Sequence, residues 1–401
     1  MIRLGIVGFG ARSNGNRTRF QDIAPEVELV GVVDPNEARV RELRLRPEEQ
    51  DRVTFYASLG EMVRQAKLDC LMIGSLDYLH AEQAIEAAKY DLPLFLEKPV
   101  AVSMEQNLAV ERAFENSRCQ VVVSFPMRAA PLCTLTHQYI QEGAIGHPEH
   151  VLATNYIPYG TCFFDMFTYQ SYKHTQGLFT QKATHDLDCM MHLMGSTITK
   201  VAALASYGRV FGGKKPSGLR CSQCDERRTC LESPENRRRN GSDPGEGGVF
   251  DPMTDHLCLF SVDVGTPETG MNEDSSSILM EFASGAHGFY TQVCYTRRDA
   301  GARHHIYSGY HGTLQLDWYK NEVRRVRHHA PFTDVATVTG NSHALGDYAL
   351  VRNFLDVIKG KDTPQSTIWH GLQSIYACLA AKESTYTGQF VTVRQVGSTP
   401  A

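Results

Sequence analysis

Over the first 125 residues, short apolar runs with strand character alternate with stretches in which apolar residues recur every three or four positions. The strand-like runs are Ile2–Val7, Glu28–Val33, Val53–Tyr56, Cys70–Ile73, Leu94–Leu96 and Gln120–Ser124. Between them, Ser58–Ala66 carries Leu59, Met62, Val63 and Ala66 on one helical face, and Leu79–Tyr90 carries Ala81, Ala84, Ile85 and Ala88. Strands alternating with helices of this length predict a parallel, doubly wound sheet with right-handed crossovers. Beyond residue 125 the pattern changes. A helix over Pro131–Glu142 and a strand over His150–Ile157 lead into a segment dense in aromatic and polar side chains: Tyr156, Tyr159, Phe163, Phe164, Phe167, Tyr169, Tyr172 and His174. A helix over Ala183–Met194 follows, then strands at Ser277–Phe282, His287–Tyr295, His304–Tyr310, Thr313–Leu316 and Val323–Arg327 with no helix among them. Consecutive strands of this kind predict a mostly antiparallel sheet. Helices over Ala344–Lys359 and His370–Thr385 complete the pattern.

The fold class expected is α/β, with an N-terminal domain over 1–125 and a C-terminal α/β domain over 126–401 built on a large open sheet. Residues 208–250, rich in Gly, Pro and Arg, read as an irregular insertion.

Composition narrows the function classes. Of the 401 residues, 42% are hydrophobic and 21% charged, as in an ordinary globular protein. The net charge of −5 argues against a nucleic-acid or anionic-membrane partner, while leaving room for a local basic patch that receives an acidic substrate. No apolar run approaches the ~18 residues of a membrane span. The chain enters its first strand at Ile2 without a leader pattern, so a cytoplasmic location is expected. Most of the eleven cysteines stand singly in apolar segments, which fits a reducing compartment.

Gly8-Phe9-Gly10-Ala11-Arg12-Ser13 follows the first strand directly. Gly8 permits a tight turn, Gly10 lets the backbone approach a pyrophosphate, and the amides opening the next helix favour its charge. This is the dinucleotide loop of a Rossmann fold, with Ser13 at the third glycine position. Asp34 ends the second strand, where a carboxylate accepts hydrogen bonds from ribose hydroxyls and repels a 2′-phosphate, favouring NAD over NADP. Before Pro35 it also suits a turn. Glu97-Lys98-Pro99 ends the fifth strand, at the edge of the sheet where such folds bind ligands. An ammonium there can hold a reacting oxygen and stabilise developing alkoxide. Pro99 is a candidate for a cis peptide. Gln181-Lys182-Ala183-Thr184-His185-Asp186-Leu187-Asp188 opens a helix; His185 suits a general base. His192, seven residues on, reads as structural.

Gly8-Phe9-Gly10-Ala11-Arg12, Glu97-Lys98-Pro99 and His185-Asp186-Leu187-Asp188 resemble the signatures of the glucose–fructose oxidoreductase/inositol dehydrogenase/rhizopine-catabolism (Gfo/Idh/MocA) family. Glu281-Phe282-Ala283-Ser284-Gly285 and Gly312-Thr313-Leu314-Gln315-Leu316 resemble its C-terminal sheet motifs. The resemblance spans almost the whole chain. It implies a Rossmann domain with a second domain on an open sheet, NAD as cofactor, and hydride transfer to or from a carbinol carbon of a sugar, sugar derivative or cyclitol. It implies Lys98 and His185 as catalytic, with Lys182 and Tyr156 as further candidates. Cofactor contacts would come from Gly8, Gly10, Ala11, Arg12, Asp34, Ser75, His80, Glu97 and Lys98, and substrate contacts from Arg128, Tyr159, His174, Gln181 and Asp188. Members often carry Asp where Gln181 stands, so a carboxylate relay to the histidine is in doubt here. A homodimer or homotetramer is expected. A minority of the family are NAD-requiring glycoside hydrolases that oxidise, eliminate, hydrate and reduce with no net redox change, and the same residue types serve both chemistries.

Cys221, Cys224 and Cys230 form one local thiol group, with Cys258 and His256 the nearest candidates for a fourth metal ligand. A loop of free thiols is the expectation, a structural metal the alternative. Arg237-Arg238-Arg239 reads as a solvated charge run.

Overall fold

The computed structural model describes residues 1–165, 169, 172–240, 256–262, 272–339 and 343–398; Phe167 and residues 241–250 of the expected insertion lie outside them. Six parallel strands, β1 (Ile2–Val7), β2 (Val27–Val33), β3 (Thr54–Phe55), β4 (Cys70–Ile73), β5 (Leu94–Leu96) and β6 (Val121–Val123), form one sheet in the order β3-β2-β1-β4-β5-β6. This is the doubly wound order, reversing between β1 and β4. The crossovers include α1 (Ala11–Ile23), α2 (Glu37–Leu43), α3 (Leu59–Ala66), α4 (His80–Ala87) and α5 (Met104–Phe114). β4 is buried at every position, as a central strand covered on both faces must be. β3 is shorter than its apolar run, because at the sheet edge only Thr54 and Phe55 find partners, Gly31 and Val32.

After α6 (Pro126–Ala129) and α7 (Pro131–Gln141) the chain builds a nine-stranded sheet. Its strands are β7 (His150–Tyr156), β8 (Ile198–Ser206), β9 (Ser275–Phe282), β10 (His287–Val293), β11 (Ala302–Ser308), β12 (Gly312–Asp317), β13 (Glu322–Arg327), β14 (Thr333–Thr337) and β15 (Val391–Thr392). Their order is β14-β13-β12-β11-β7-β10-β9-β8-β15, antiparallel except between β7 and β10. β8 and β14 were not expected. Three of the nine residues of β8 are alanines, which blur its alternation, and β14 is a polar edge strand with no fully buried position.

One face of this sheet packs against α7, α8 (Thr184–Met194) and α10 (Ile368–Thr387), and its inward residues, including Val151, Ala153, Ile278, Met280 and Tyr290, are fully buried, while α9 (His343–Ile358) packs against α1 and α6. The division at residue 125 separates the two sheets but not the two cores. Leu350, Val351 and Phe354 of α9 pack with Phe20 and Phe95 of the first domain, and Ile368 and Leu372 of α10 join the core beside β5 and β6.

The other sheet face carries a registered apolar row. Ala202 pairs with Leu279, Leu279 with Phe289, Phe289 with Leu152, and Leu152 with Ile306. In the insertion, an isolated bridge between Arg220 and Leu257 draws Cys258 towards the three-thiol loop, and Cys221 N donates to His256 O at 3.0 Å. Among the described residues, no three ligand side chains form a group able to hold a metal.

Candidate active site

The phosphate loop leaves β1 through Gly8, whose φ of +75° and approach to Ser75 exclude a side chain: a Cβ would lie 2.4 Å from Ser75 Cα. A Cβ at Gly10, by contrast, would meet nothing within 4 Å. Gly10 is also the N-cap of α1 and gives no side-chain cap, so the first-turn amides receive no capping side chain from it. This is a cradle for a phosphate, and the residues present fit a dinucleotide. Ser13 replaces the third glycine because its hydroxyl ties the loop down, donating to Gly8 O at 2.7 Å and lying near Gly74 O at 3.3 Å. Asp34 accepts from Phe9 N at 2.8 Å and from Asn36 N at 2.9 Å, so it shapes the loop as well as standing at the ribose position.

Three expected cofactor residues act as braces. Arg12 bonds Glu97 at 2.9 Å, Asp347 at 2.6 and 2.7 Å and Ser124 at 3.0 Å, joining the loop to β5 and to α9. These carboxylates outweigh burial and hold its guanidinium above the usual range. Glu97 also accepts from Asn16 at 2.7 Å. His80, 1% exposed, has its ring nitrogens 2.8 Å from Pro99 O and 3.3 Å from Ser75 O, fastening the β5 end to the β4 end.

Lys98 follows β5, and its peptide bond to Pro99 is cis. Its ammonium donates to Gln181 O at 2.8 Å. That carbonyl is presented by a π-helical turn, Phe179–Ala183, which runs directly into α8. Wider turns of this kind shift the backbone bonding pattern and recur at functional sites. The turn is held from outside: buried Glu273 accepts from Leu178 N at 2.5 Å and Phe179 N at 3.4 Å. Burial pulls the Lys98 ammonium down to about 8, with Asp77 opposing the change and Lys182 adding to it. Asp77 is half-buried beyond the carboxyl end of β4, where desolvation pushes its carboxyl up against the pull of Lys98 and His80, and its buried Oδ2 has no hydrogen-bond partner among the described residues.

His185 lies one turn beyond Gln181, 7% exposed, edge-on to Phe125 at 5.9 Å. Lys182 donates to Tyr159 OH at 2.7 Å and sits over the rings of Tyr159 at 5.0 Å and Phe163 at 5.9 Å. His174 stacks on Tyr78 at 4.8 Å, next to Asp77. Gln181 is buried and its side-chain oxygen has no partner among the described residues. Lys98, Lys182, His185, Gln181, Tyr159 and His174 therefore gather at the carboxyl end of the first sheet.

The structure places three expected residues elsewhere. Tyr156 alternates with Asn155 along β7; Asn155 faces α8, bonding Asp186 at 3.0 Å, so Tyr156 belongs to the open face of the sheet and is not a catalytic candidate. Arg128 and Asp188 form a buried two-point pair at 2.6 and 3.1 Å. They line a separate depression of about 470 Å³ with His192, Trp369 and His370, without Lys98 or His185. Their mutual charge satisfies them, which removes the reason to read them as substrate contacts. Burial and Arg128 pull His192 down to about 3 and His370 to about 4, so both are neutral at ordinary pH.

Two contributors were missed. Asp77 stands three residues before His80, just past a strand end, and that placement was a usable signal. Asp186 anchors α8: although burial raises a carboxyl, Arg303, at 2.8 and 2.9 Å, and His305 hold it well below its ordinary range, and Tyr290 and Asn155 also donate to it. Nothing local in the sequence links residues more than a hundred positions apart.

With that geometry in hand, the comparisons decide the family. A model of the oxidoreductase family with NAD-binding Rossmann fold matches residues 2–125, and one for its C-terminal alpha/beta domain matches residues 140–393. The chain belongs to the Gfo/Idh/MocA oxidoreductase family. It is 27% identical over 221 residues to 2,7-anhydro-N-acetylneuraminate hydratase from Escherichia coli K12, covering 53% of this chain and 56% of the relative. To scyllo-inositol 2-dehydrogenase (NAD(+)) from Bacillus subtilis 168 it is 24% identical, covering 52% and 58%. The chain thus matches less than two thirds of the length of each of these relatives. Among solved structures, levoglucosan dehydrogenase in complex with NADH and levoglucosan has the same fold at 14% identity, TM-score 0.73, over 98% of this chain and 100% of the other. So does an oxidoreductase from Agrobacterium radiobacter in complex with NAD+, L-tartaric acid and magnesium, at 14% identity, TM-score 0.70, over 98% of both. This Gfo/Idh/MocA chain carries an NAD-binding Rossmann domain, and no helix among its described residues is long and apolar enough to cross a membrane.

Proposed function

We propose that this protein is an NAD-dependent dehydrogenase acting on a carbinol carbon of a sugar, sugar derivative or cyclitol. The observation that carries this reading is Lys98, a half-buried ammonium at the end of β5, bonded to the turn that opens the His185 helix and depressed to about 8. NAD, when bound, accepts or returns the hydride of the carbinol carbon. Lys98 donates a hydrogen bond to the reacting oxygen and stabilises its developing negative charge. His185 takes the hydroxyl proton in the oxidative direction and returns it in reduction. Gly8, Gly10 and Ala11 cradle the pyrophosphate, Asp34 receives the ribose, and Tyr159, Gln181 and His174 line the substrate side. Relatives named for inositol and levoglucosan support the substrate class.

A second reading, an NAD-requiring glycoside hydrolase without net redox change, is favoured by a relative named for hydration rather than oxidation. Incubating the protein with NAD and a panel of free sugars, cyclitols and aryl glycosides separates the two. NADH rising in step with substrate loss supports the dehydrogenase. Aglycone released only in the presence of NAD, with no net NADH, supports the hydrolase.

We further propose a homo-oligomer built through the open sheet face, where the row Ala202, Leu279, Phe289, Leu152, Ile306 gives a second copy a flat apolar surface. A cytoplasmic location fits the buried single thiols.

A further inference from the structure

The cations around the crevice are not equally matched. Arg12 has Glu97 and Asp347, Arg303 has Asp186, and Arg128 has Asp188, each with a contact under 3 Å. Lys98 has the half-buried Asp77 near enough to favour its charge. Lys182 differs. Its recorded contacts are the Tyr159 hydroxyl and the two aromatic rings, with no carboxylate among the described residues. It is also close enough to Lys98 to disfavour that second positive charge. The backbone explains the closeness: Lys98 grips the carbonyl of Gln181, the residue bonded to Lys182.

Two ammonium groups held together in a half-buried crevice repel each other, and shielding from water makes that costly. Aromatic faces soften the cost for Lys182 without neutralising it. An anionic ligand removes it. We propose that the substrate carries a carboxylate, so that the protein acts on a sugar acid, with the carboxylate bound by Lys182 and Tyr159. This inference rests on the hydride-transfer reading for its reacting carbon. The Tyr159 oxygen accepts from Lys182, which leaves the phenolic proton to donate outward. The pair then offers two donors, ammonium and phenol, to the two oxygens of one carboxylate. A phosphate ester would bring a larger charge, about −1.5 to −2, on three oxygens, one more than this pair serves.

The test uses the full chain with NAD and paired substrates: glucuronate against glucose, galacturonate against galactose, and glucose 6-phosphate as the phosphate arm. The expected result is a KM for each acid at least tenfold below that of its neutral partner. Lys182→Met should raise the acid KM at least tenfold and collapse the acid-to-neutral KM difference, with NADH affinity, read by fluorescence titration, as in the wild type. Lys182→Arg should restore part of the loss. Thermal protection in the presence of NADH provides a readout independent of turnover. Acids should raise Tm in the wild type and not in Lys182→Met. Protection by acids without NADH production would overturn the dehydrogenase reading and leave the carboxylate site standing. Equal KM values for acids and neutral sugars, no thermal protection by any acid, stronger protection by the sugar phosphate, or a uniform loss across all sugars in Lys182→Met would each overturn the sugar-acid assignment.

Discussion

The two walls of the crevice are built on different principles. The strand wall takes its shape from the ends of β1, β2, β4 and β5, where each functional backbone group follows a few residues after a buried parallel strand. Its braces tie strand ends together, His80–Pro99 between the neighbouring β4 and β5 and Arg12–Glu97 from β1 across β4 to β5. The helix wall hangs on remote contacts. Asp186 is fixed by Arg303 and His305 of β11, and the π-turn before α8 is fixed by Glu273, ninety-odd residues away. The strand wall needs little beyond its own sheet to place Lys98, whereas the helix wall depends on a buried ionic network to place His185 and Lys182.

That contrast makes mutations on the two walls separable. The largest effect is expected at Lys98→Met: turnover falls by roughly 10²–10⁴-fold, the usual range for losing a positioned proton-transfer or oxyanion group. NADH affinity should stay near the wild-type value, since the loop and Asp34 are untouched. Loss of NADH binding, measured by fluorescence, would instead make Lys98 a cofactor residue and break the chemical reading of the strand wall.

Next is Asp186→Ala, which leaves Arg303 buried with its counter-ion gone. Removing one partner of such a pair costs about 3–5 kcal/mol, seen as a lower urea midpoint together with loss of activity. A variant as stable as the wild type would show that the helix wall does not depend on this network.

A smaller, graded effect is expected with pH. Lys98 acts as a donor only when protonated, and its ammonium is depressed to about 8. Activity should therefore fall as pH rises through about 8, and the alkaline limb should move to higher pH in Lys98→Arg, whose guanidinium keeps its proton. An unshifted limb in that variant would assign the titration to another group.

The smallest effect is expected at Asp34→Ala, which should lower the preference for NAD over NADP by a modest factor in paired kcat/KM measurements, because Asp34 also serves Phe9 N and Asn36 N within the loop. An unchanged ratio would leave Asp34 as a loop brace alone.

The legibility of the two walls follows the same division. Gly8, Gly10, Asp34 and Lys98 could be read because period-two and period-3.6 patterns locate strand ends, and doubly wound sheets bind at those ends. Asp77 obeyed the same rule and was passed over. Tyr156 was misplaced because the strand was recognised but not which of its faces would be covered. Arg128 and Asp188 were misassigned because two charges far apart in sequence gave no sign that they would neutralise each other.

By itself, then, the sequence determined the strand–helix alternation and the chemistry offered at strand ends, because these depend on local periodicity and short spacings, and its motifs carried the family resemblance. Only the tertiary structure decided which cations keep a counter-ion, which sheet face stays open and which helix of the second region completes the first core. Those outcomes rest on pairings such as Arg303 with Asp186 and Phe354 with Phe20, fixed when distant segments pack and exclude water.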